Sequence, residues 1–178
     1  MLRQGVAGAF MVLALLGAAW AQAEDTPASS ATAAAPAAGG GGGGDVSKTP
    51  PEVVGAAAKG TLKDPYKDDN ADIDAQGHKL FLQYSCNGCH GGTGGGGICP
   101  HIINDVWVYD GDDDTLFRLV TLGSVGLQAA GYMRKGHENV VAPMPPFGQL
   151  IPTADDLWKI ITFVRSAYKG SPSRKFGN

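Results

Sequence analysis

The sequence predicts an all-α domain over residues 72–170, behind a flexible N-terminal extension. Three observations carry this. Ile73, Gly77, Phe81 and Tyr84 fall at i, i+4, i+8 and i+11, a helical stripe over residues 72–85. Leu157, Ile160, Ile161, Val164 and Tyr168 fall at i, i+3, i+4, i+7 and i+11, a second stripe over residues 153–168. Between them a middle helix is expected to start near Asp113 or Asp114 and to carry Leu116, Phe117, Leu119 and Val120.

The extension comes first in the chain. Residues 1–23 read as an export signal: Arg3 is a short positive region, residues 6–19 are apolar, and Ala21-Gln22-Ala23 is a small-x-small cleavage site. Cleavage is expected after Ala23. The alternative is an uncleaved membrane anchor, but the apolar stretch of roughly 15 residues is shorter than the ~20 that a spanning helix needs. Either way the domain faces the far side of the membrane. Residues 24–48 are Ala, Pro, Gly, Ser and Thr with almost no large apolar side chain, and read as a flexible linker. The run from Gly39 to Gly44 is not followed by Lys-Ser or Lys-Thr, which argues against a phosphate-cradling loop. Residues 49–71 read as an extended arm pinned to the domain by Val53, Val54, Leu62 and Tyr66. Residues 171–178 read as a flexible tail.

The helices have recognisable ends. Gly77 inside the first stripe costs about 1 kcal/mol against alanine, which makes sense if another helix crosses closely there. Thr153-x-x-Asp156 after Pro152 is a capping-box-like start, and Gly170 and Pro172 end the last helix. Asp112 to Asp114 suit a helix start, where the dipole favours acids. A calcium loop would need a glycine at a fixed place and a terminal Glu, and neither is present.

Composition narrows the function. Of 178 residues only 17% are charged, the net charge is −3, and no large basic block exists, so nucleic acid is not an expected partner. Without Arg3, 13 basic residues face 17 acidic ones, a mature charge of −4. Three cysteines are too few for a disulfide scaffold. Glycine is abundant at 27, with six residues in the run 39–44 and six more between Gly91 and Gly97. The second run is expected to be a flexible turn.

The chemistry sits in Cys86-Asn87-Gly88-Cys89-His90. This is C-x-x-C-H, the attachment signature of c-type haem. Two thiols add across the two porphyrin vinyl groups, and the adjacent histidine then lies beneath the iron. Covalent attachment retains the cofactor in an exported protein, so motif and export signal support each other. A thioredoxin-type C-x-x-C would need a βαβ context. A zinc site would need two further ligands at paired spacing, whereas Cys99, His78, His101 and His137 are scattered. One covalent haem c is therefore expected.

A sixth iron ligand follows. After cleavage only Met133 and Met144 remain. Met144 lies in Ala142-Pro143-Met144-Pro145-Pro146-Phe147-Gly148, a proline-stiffened segment that can hold a thioether against iron. It is preferred over Met133, whose surroundings are charged and mobile, and over His137 and His101. The other ring nitrogen of His90 needs an acceptor. The Pro100 carbonyl, ten residues on, is a plausible one. Cys99 is the odd thiol: a small buried hydrophobe, or else a reactive thiol or intermolecular bridge. Trp107 and Tyr109 read as packing residues.

Over residues 72–168 these features resemble a class I c-type cytochrome. The matching pattern is Gly77-x-x-x-Phe81, the C-x-x-C-H motif, Pro100, Met144-Pro145-Pro146-Phe147-Gly148 and the amphipathic last helix. The resemblance implies a class I cytochrome c fold, three to five helices around one covalent haem, with Gly77 against Phe163. It also implies His90–Met144 ligation and a Pro100 carbonyl on the His90 ring. A narrower similarity is to the cytochrome cL group. It runs through Cys89-His90-Gly91, the glycine-rich loop, Cys99-Pro100-x-Ile102-x-Asn104-Asp105-x-Trp107-x-Tyr109, and Asp114-x-Leu116-Phe117 followed by Gly123. In this chain Cys99 stands where that group usually has a glycine, and the stretch from Gly131 to Val141 is longer. The resemblance implies an electron acceptor of periplasmic PQQ-dependent methanol dehydrogenases.

The expectation is thus a periplasmic, non-enzymatic carrier of single electrons without stable membrane insertion. Its donor would be a PQQ-dependent methanol or alcohol dehydrogenase, and its acceptor another c-type cytochrome or a terminal oxidase. The alternatives are a membrane-tethered relay and a haem peroxidase or gas binder with an open sixth site, against which the Met144 loop argues.

Overall fold

Thr49 opens the first helix, α1 (Pro50–Ala56), its backbone amide and hydroxyl both donating to the Glu52 carboxylate at 2.9 and 2.7 Å. The computed structural model describes residues 42–103, 106–136 and 141–170. Four more helices follow: α2 (Ala71–Gln83), the single turn α3 (Asn87–His90), α4 (Asp113–Ala129) and α5 (Ala154–Ala167). No strand occurs among the described residues, so the all-α expectation and its helix number hold. The export signal, most of the linker and the tail beyond Gly170 lie outside the described residues.

α2 and α5 cross at Gly77. A Cβ there would stand 1.9 Å from the Lys159 carbonyl oxygen and 3.0 Å from Phe163 Cβ. Only a bare Cα lets the backbones approach this closely. The Phe163 ring stacks on His78 at 4.5 Å and tilts against Phe81 at 5.1 Å. Beneath the crossing lies a core of Phe117, Leu157, Trp158, Ile160 and Ile161, each at most 2% exposed. The Phe117 and Trp158 rings lie 4.4 Å apart. Aromatic pairs of this kind add to what burial alone gives.

The three acids at the head of α4 divide their work. Asp112 caps the helix, accepting from Thr115 N at 2.9 Å. Asp113 pairs with the buried Arg165 of α5. Asp114 is buried and accepts from Leu62 N, Arg118 Nε and the Tyr132 hydroxyl. Those bonds hold its carboxyl below the usual range although burial pushes the other way. Arg118 in turn donates from Nη2 to the Ala57 and Ala58 carbonyls at 2.9 Å. The expected arm is thereby tied to the domain, but it is not extended throughout: Pro50 supplies the fixed φ of a helix start, and α1 forms there. Val53 and Leu62 are buried, and Val54 and Tyr66 pack on the core.

The stretch 42–48, read from composition as the end of a linker, is bonded to the domain. Ala154 N donates to Lys48 O at 2.7 Å and Asp155 N to Val46 O at 3.0 Å. These are two of the orphan amides at the α5 N-terminus. Trp158 Nε1 donates to Gly43 O at 3.0 Å, and Lys63 N to Gly42 O at 3.0 Å. A Cβ at Gly43 would stand 2.8 Å from the Lys63 carbonyl oxygen, so the glycines that suggest a linker let the segment approach the domain closely.

Candidate functional site

A cavity of about 500 Å³ opens between α2, α4, α5 and the loops that follow α3 and α4. Cys86, His90, Cys99, Pro100 and Met144 all line it, with Trp107, Tyr109, Leu116 and Ile160 among the largely apolar remainder. α3 places two of these groups. Cys86 begins the turn and is 6% exposed, its thiol pushed up to about 11 by burial. His90 ends the turn.

The His90 ring is fixed by the segment after the glycine-rich loop. His90 Nδ1 lies 2.8 Å from the Pro100 carbonyl oxygen. A carbonyl only accepts, so Nδ1 carries a proton, and in the neutral ring Nε2 is the nitrogen with the lone pair. The loop between them is internally bonded rather than a loose turn. Gly96 N donates to His90 O at 2.8 Å and Ile102 N to Gly94 O at 2.9 Å. Gly91, Gly94 and Gly96 adopt φ values of 77°, 78° and 89°, which L side chains rarely take. What composition presents as disorder is the backbone requirement of a tight loop.

Met144 is held by α4. That helix is broken at Gly123, whose φ of 69° and ψ of 171° turn the chain away from the helical path. The break frees carbonyls for the ligand loop: Phe147 N donates to Val120 O at 2.9 Å and Gly148 N to Thr121 O at 3.2 Å. Ser124 N donates to Met144 O at 2.9 Å, and Met144 N to Ser124 Oγ at 3.0 Å. Met133, by contrast, is 80% exposed. His101 lines the cavity, and His137 lies outside the described residues.

Cys89 is placed differently from Cys86. Its carbonyl accepts from Cys99 N at 3.3 Å, which sets the two cysteines side by side. Burial, then the neighbouring Cys89 side chain, pushes the Cys99 thiol up to about 11. Trp107 donates from Nε1 to Ile102 O at 2.9 Å and meets Tyr168 edge-on at 5.0 Å. The Gln128 amide donates to the Tyr109 hydroxyl. Both aromatic residues are therefore packed wall residues. Ser124 has no sequence signal of its own as the support of Met144. Its place directly after a glycine in a helical run is the only hint.

These residues fit a haem. The volume suits a large flat cofactor, within the roughly 300–1,000 Å³ of ligand cavities. The wall is mostly apolar, and it presents a tautomer-fixed imidazole, a thioether and a buried thiol. Among the described residues no group of three or more His, Cys, Asp or Glu could hold a bare metal ion.

The family model described as cytochrome C oxidase, cbb3-type, subunit III matches residues 72–164, more than half of the chain. That span contains the C-x-x-C-H turn, Pro100, the Met144 loop and most of both crossing helices. No curated protein sequence matches. A solved structure, cytochrome CL from the marine methylotrophic bacterium Methylophaga aminisulfidivorans, is 24% identical with a TM-score of 0.45. The alignment covers 61% of either chain, so this chain spans about three fifths of that neighbour's length. With a haem-compatible cavity inside the family match, the chain belongs to this c-type cytochrome family, as a class I cytochrome c that uses haem to transfer electrons.

Proposed function

We propose that this chain is an exported monohaem cytochrome c that carries single electrons rather than turning over a substrate. Cys86 and Cys89 supply the two thioether bonds, His90 and Met144 bind the iron, and the Pro100 carbonyl orients His90. The observation that carries this reading is the placement of His90 and Met144 on the wall of one apolar cavity, each held by backbone bonds. Bound there, haem supplies a one-electron couple, and thioether ligation raises its potential. Rigid ligand supports favour electron exchange with little rearrangement. The Pro100 clamp on one side and the Ser124 clamp on the other are such supports.

The donor is a periplasmic PQQ-dependent methanol or alcohol dehydrogenase, and the acceptor a second c-type cytochrome or a terminal oxidase. Support for this donor is the sequence pattern from Cys99 to Tyr109 and from Asp114 to Gly123. The export signal at residues 1–23 puts the chain in that compartment. No helix among the described residues is long and apolar enough to cross a membrane. With a mature charge of −4, attraction to a basic patch on the donor should weaken with salt.

The spectrum of the oxidised protein tests the site. A far-red thioether-to-iron band that disappears in Met144→Ala is expected. A high-spin, five-coordinate wild-type spectrum would overturn the carrier reading. For the donor, stopped-flow reduction by a purified PQQ-dependent alcohol dehydrogenase should be fast and salt-sensitive, and slower with unrelated dehydrogenases.

A further inference from the structure

Cys99 is the one cysteine that haem attachment does not use, and the fold sets it against one that haem attachment does. Its amide donates to the Cys89 carbonyl at 3.3 Å, and the Cys89 side chain is among the causes, after burial, that push its thiol up. All three cysteines are free thiols. The contact is made by local chain. The loop joining them is closed by Gly96 N on His90 O and by Ile102 N on Gly94 O. A Cβ at Gly97 would stand 2.7 Å from the Cys89 carbonyl oxygen, so a larger residue there would push Cys99 away from Cys89. Closing so short a loop costs little entropy and asks nothing of the distant helices. The pair can therefore meet in a chain whose cavity is still unfilled. Cys86 is also a neighbour of Cys89, its carbonyl accepting from Cys89 N at 3.3 Å, but it is buried at 6% exposure on the cavity wall.

We propose that Cys89 and Cys99 form a reversible disulfide in the haem-free chain, which withholds Cys89 from haem attachment until it is reduced. The proposal rests on the reading of Cys89 as an attachment thiol. Both cysteines lose their S–H protons and together two electrons, and one S–S bond forms. The oxidant is an exchangeable disulfide, such as glutathione disulfide or a thiol–disulfide oxidase. Its own S–S bond breaks and takes up the two electrons and two protons as a pair of thiols. A dithiol reductant reverses the step. Once the Cys89 sulfur is a thioether the bond can no longer form, and Cys99 remains as a single thiol beside the attached cofactor. The cysteine that departs from the cL pattern would thus make attachment depend on thiol reductant.

The test uses the full-length chain, exported in cells that cannot attach haem. The protein is equilibrated with glutathione disulfide, alkylated, digested and mapped by fragmentation mass spectrometry. The expected result is a Cys89–Cys99 bond, two hydrogens lighter, with Cys86 alkylated. Cys99→Ser should lose the bond and attach haem at low thiol reductant, where the wild type attaches several-fold less. A Cys86–Cys89 bond in the wild-type chain, or three alkylated thiols, overturns the proposal without needing the variant to fold. The mature wild-type chain is checked separately for thioether-bound haem. If that haem is present and the Cys89–Cys99 bond never forms, this inference alone falls. If the thioether haem is absent, the reading of the site falls, and the attachment role falls with it.

Discussion

Ser124 and Met144 hold each other by two reciprocal hydrogen bonds, amide to carbonyl at 2.9 Å and amide to hydroxyl at 3.0 Å. The pair exists because Gly123, one residue earlier, leaves the helical path. A straight α4 would spend the Val120 and Thr121 carbonyls within the helix, where they could not receive Phe147 and Gly148. The ligand loop is thus docked on a helix that has been broken to accept it. Proline stiffness shapes the loop, and α4 decides where it sits.

Gly123→Ala should displace Met144 while leaving most of the helix content. Alanine at φ 69° costs roughly 1–2 kcal/mol, and its Cβ would stand 2.6 Å from the Met144 carbonyl. The far-red band of the oxidised protein should be lost or much reduced, with far-ultraviolet circular dichroism near wild type. Ser124→Ala removes only one acceptor, worth about 1 kcal/mol. It should keep the band but lose it at lower temperature. An unchanged band in Gly123→Ala would show that α4 does not position the ligand.

Gly77→Ala should be far more damaging than its size suggests. The added methyl would overlap the Lys159 carbonyl at 1.9 Å, and backbone cannot move aside as a side chain can. The loss should reach or exceed the upper end of the roughly 1–3 kcal/mol typical of overpacking. Gly55→Ala is the control, because nothing stands within 4 Å of a Cβ there. It should raise stability by roughly 0.5–1 kcal/mol, the usual gain for alanine inside a helix. Thermal melts of the two holoproteins make the comparison.

The two helix stripes, the cap at Thr153 and the C-x-x-C-H turn were legible because each is a local pattern. Side-chain period and fixed spacing carry them. Gly77 was legible too, as a cost that only a close crossing could justify. The segment 42–48 was not, because its bonds run to Ala154, Asp155 and Trp158, more than a hundred residues away. The helix at Pro50 was hidden for a different reason. Two prolines look like an extended arm until one recognises the first turn of a helix, where proline is favoured. Ser124 and the Cys89–Cys99 contact were invisible because both depend on loops folding back onto earlier chain.

Removing residues 42–48 should destabilise the domain. Lys48 and Val46 accept from the first two amides of α5, and Gly43 accepts from the buried Trp158 indole. Losing these partners exposes helix-end donors and the edge of the core, at about 1 kcal/mol per net hydrogen bond. A chain starting at Thr49, exported behind the same signal, should melt several degrees below one starting at Gly42. Equal melting temperatures would mean that the segment lies on α5 without supporting it.

The acid cluster around Arg165 should give the protein a pH-dependent stability with a definite sign. Asp64 is pushed up to about 7, mainly by burial. The Tyr66 amide and Arg165 pull it down, while Asp113 and Asp68 push it further up. Arg165 cannot fully compensate, because it also pairs with Asp113 and lies 3.8 Å from Asp68 and 4.0 Å from Asp64. A carboxyl raised in the fold binds its proton more tightly folded than unfolded. Below about pH 4 both states are protonated, and Asp64 contributes no pH dependence. Between about pH 4 and 7 the unfolded chain releases a proton that the folded chain keeps, so stability falls as pH rises. Above 7 the penalty is constant. Asp64→Asn cannot ionise, so its melting temperature should gain on that of the wild type from pH 4 to pH 7 and then run parallel. A gap that shrinks over that range would mean that Arg165 holds Asp64 ionised throughout.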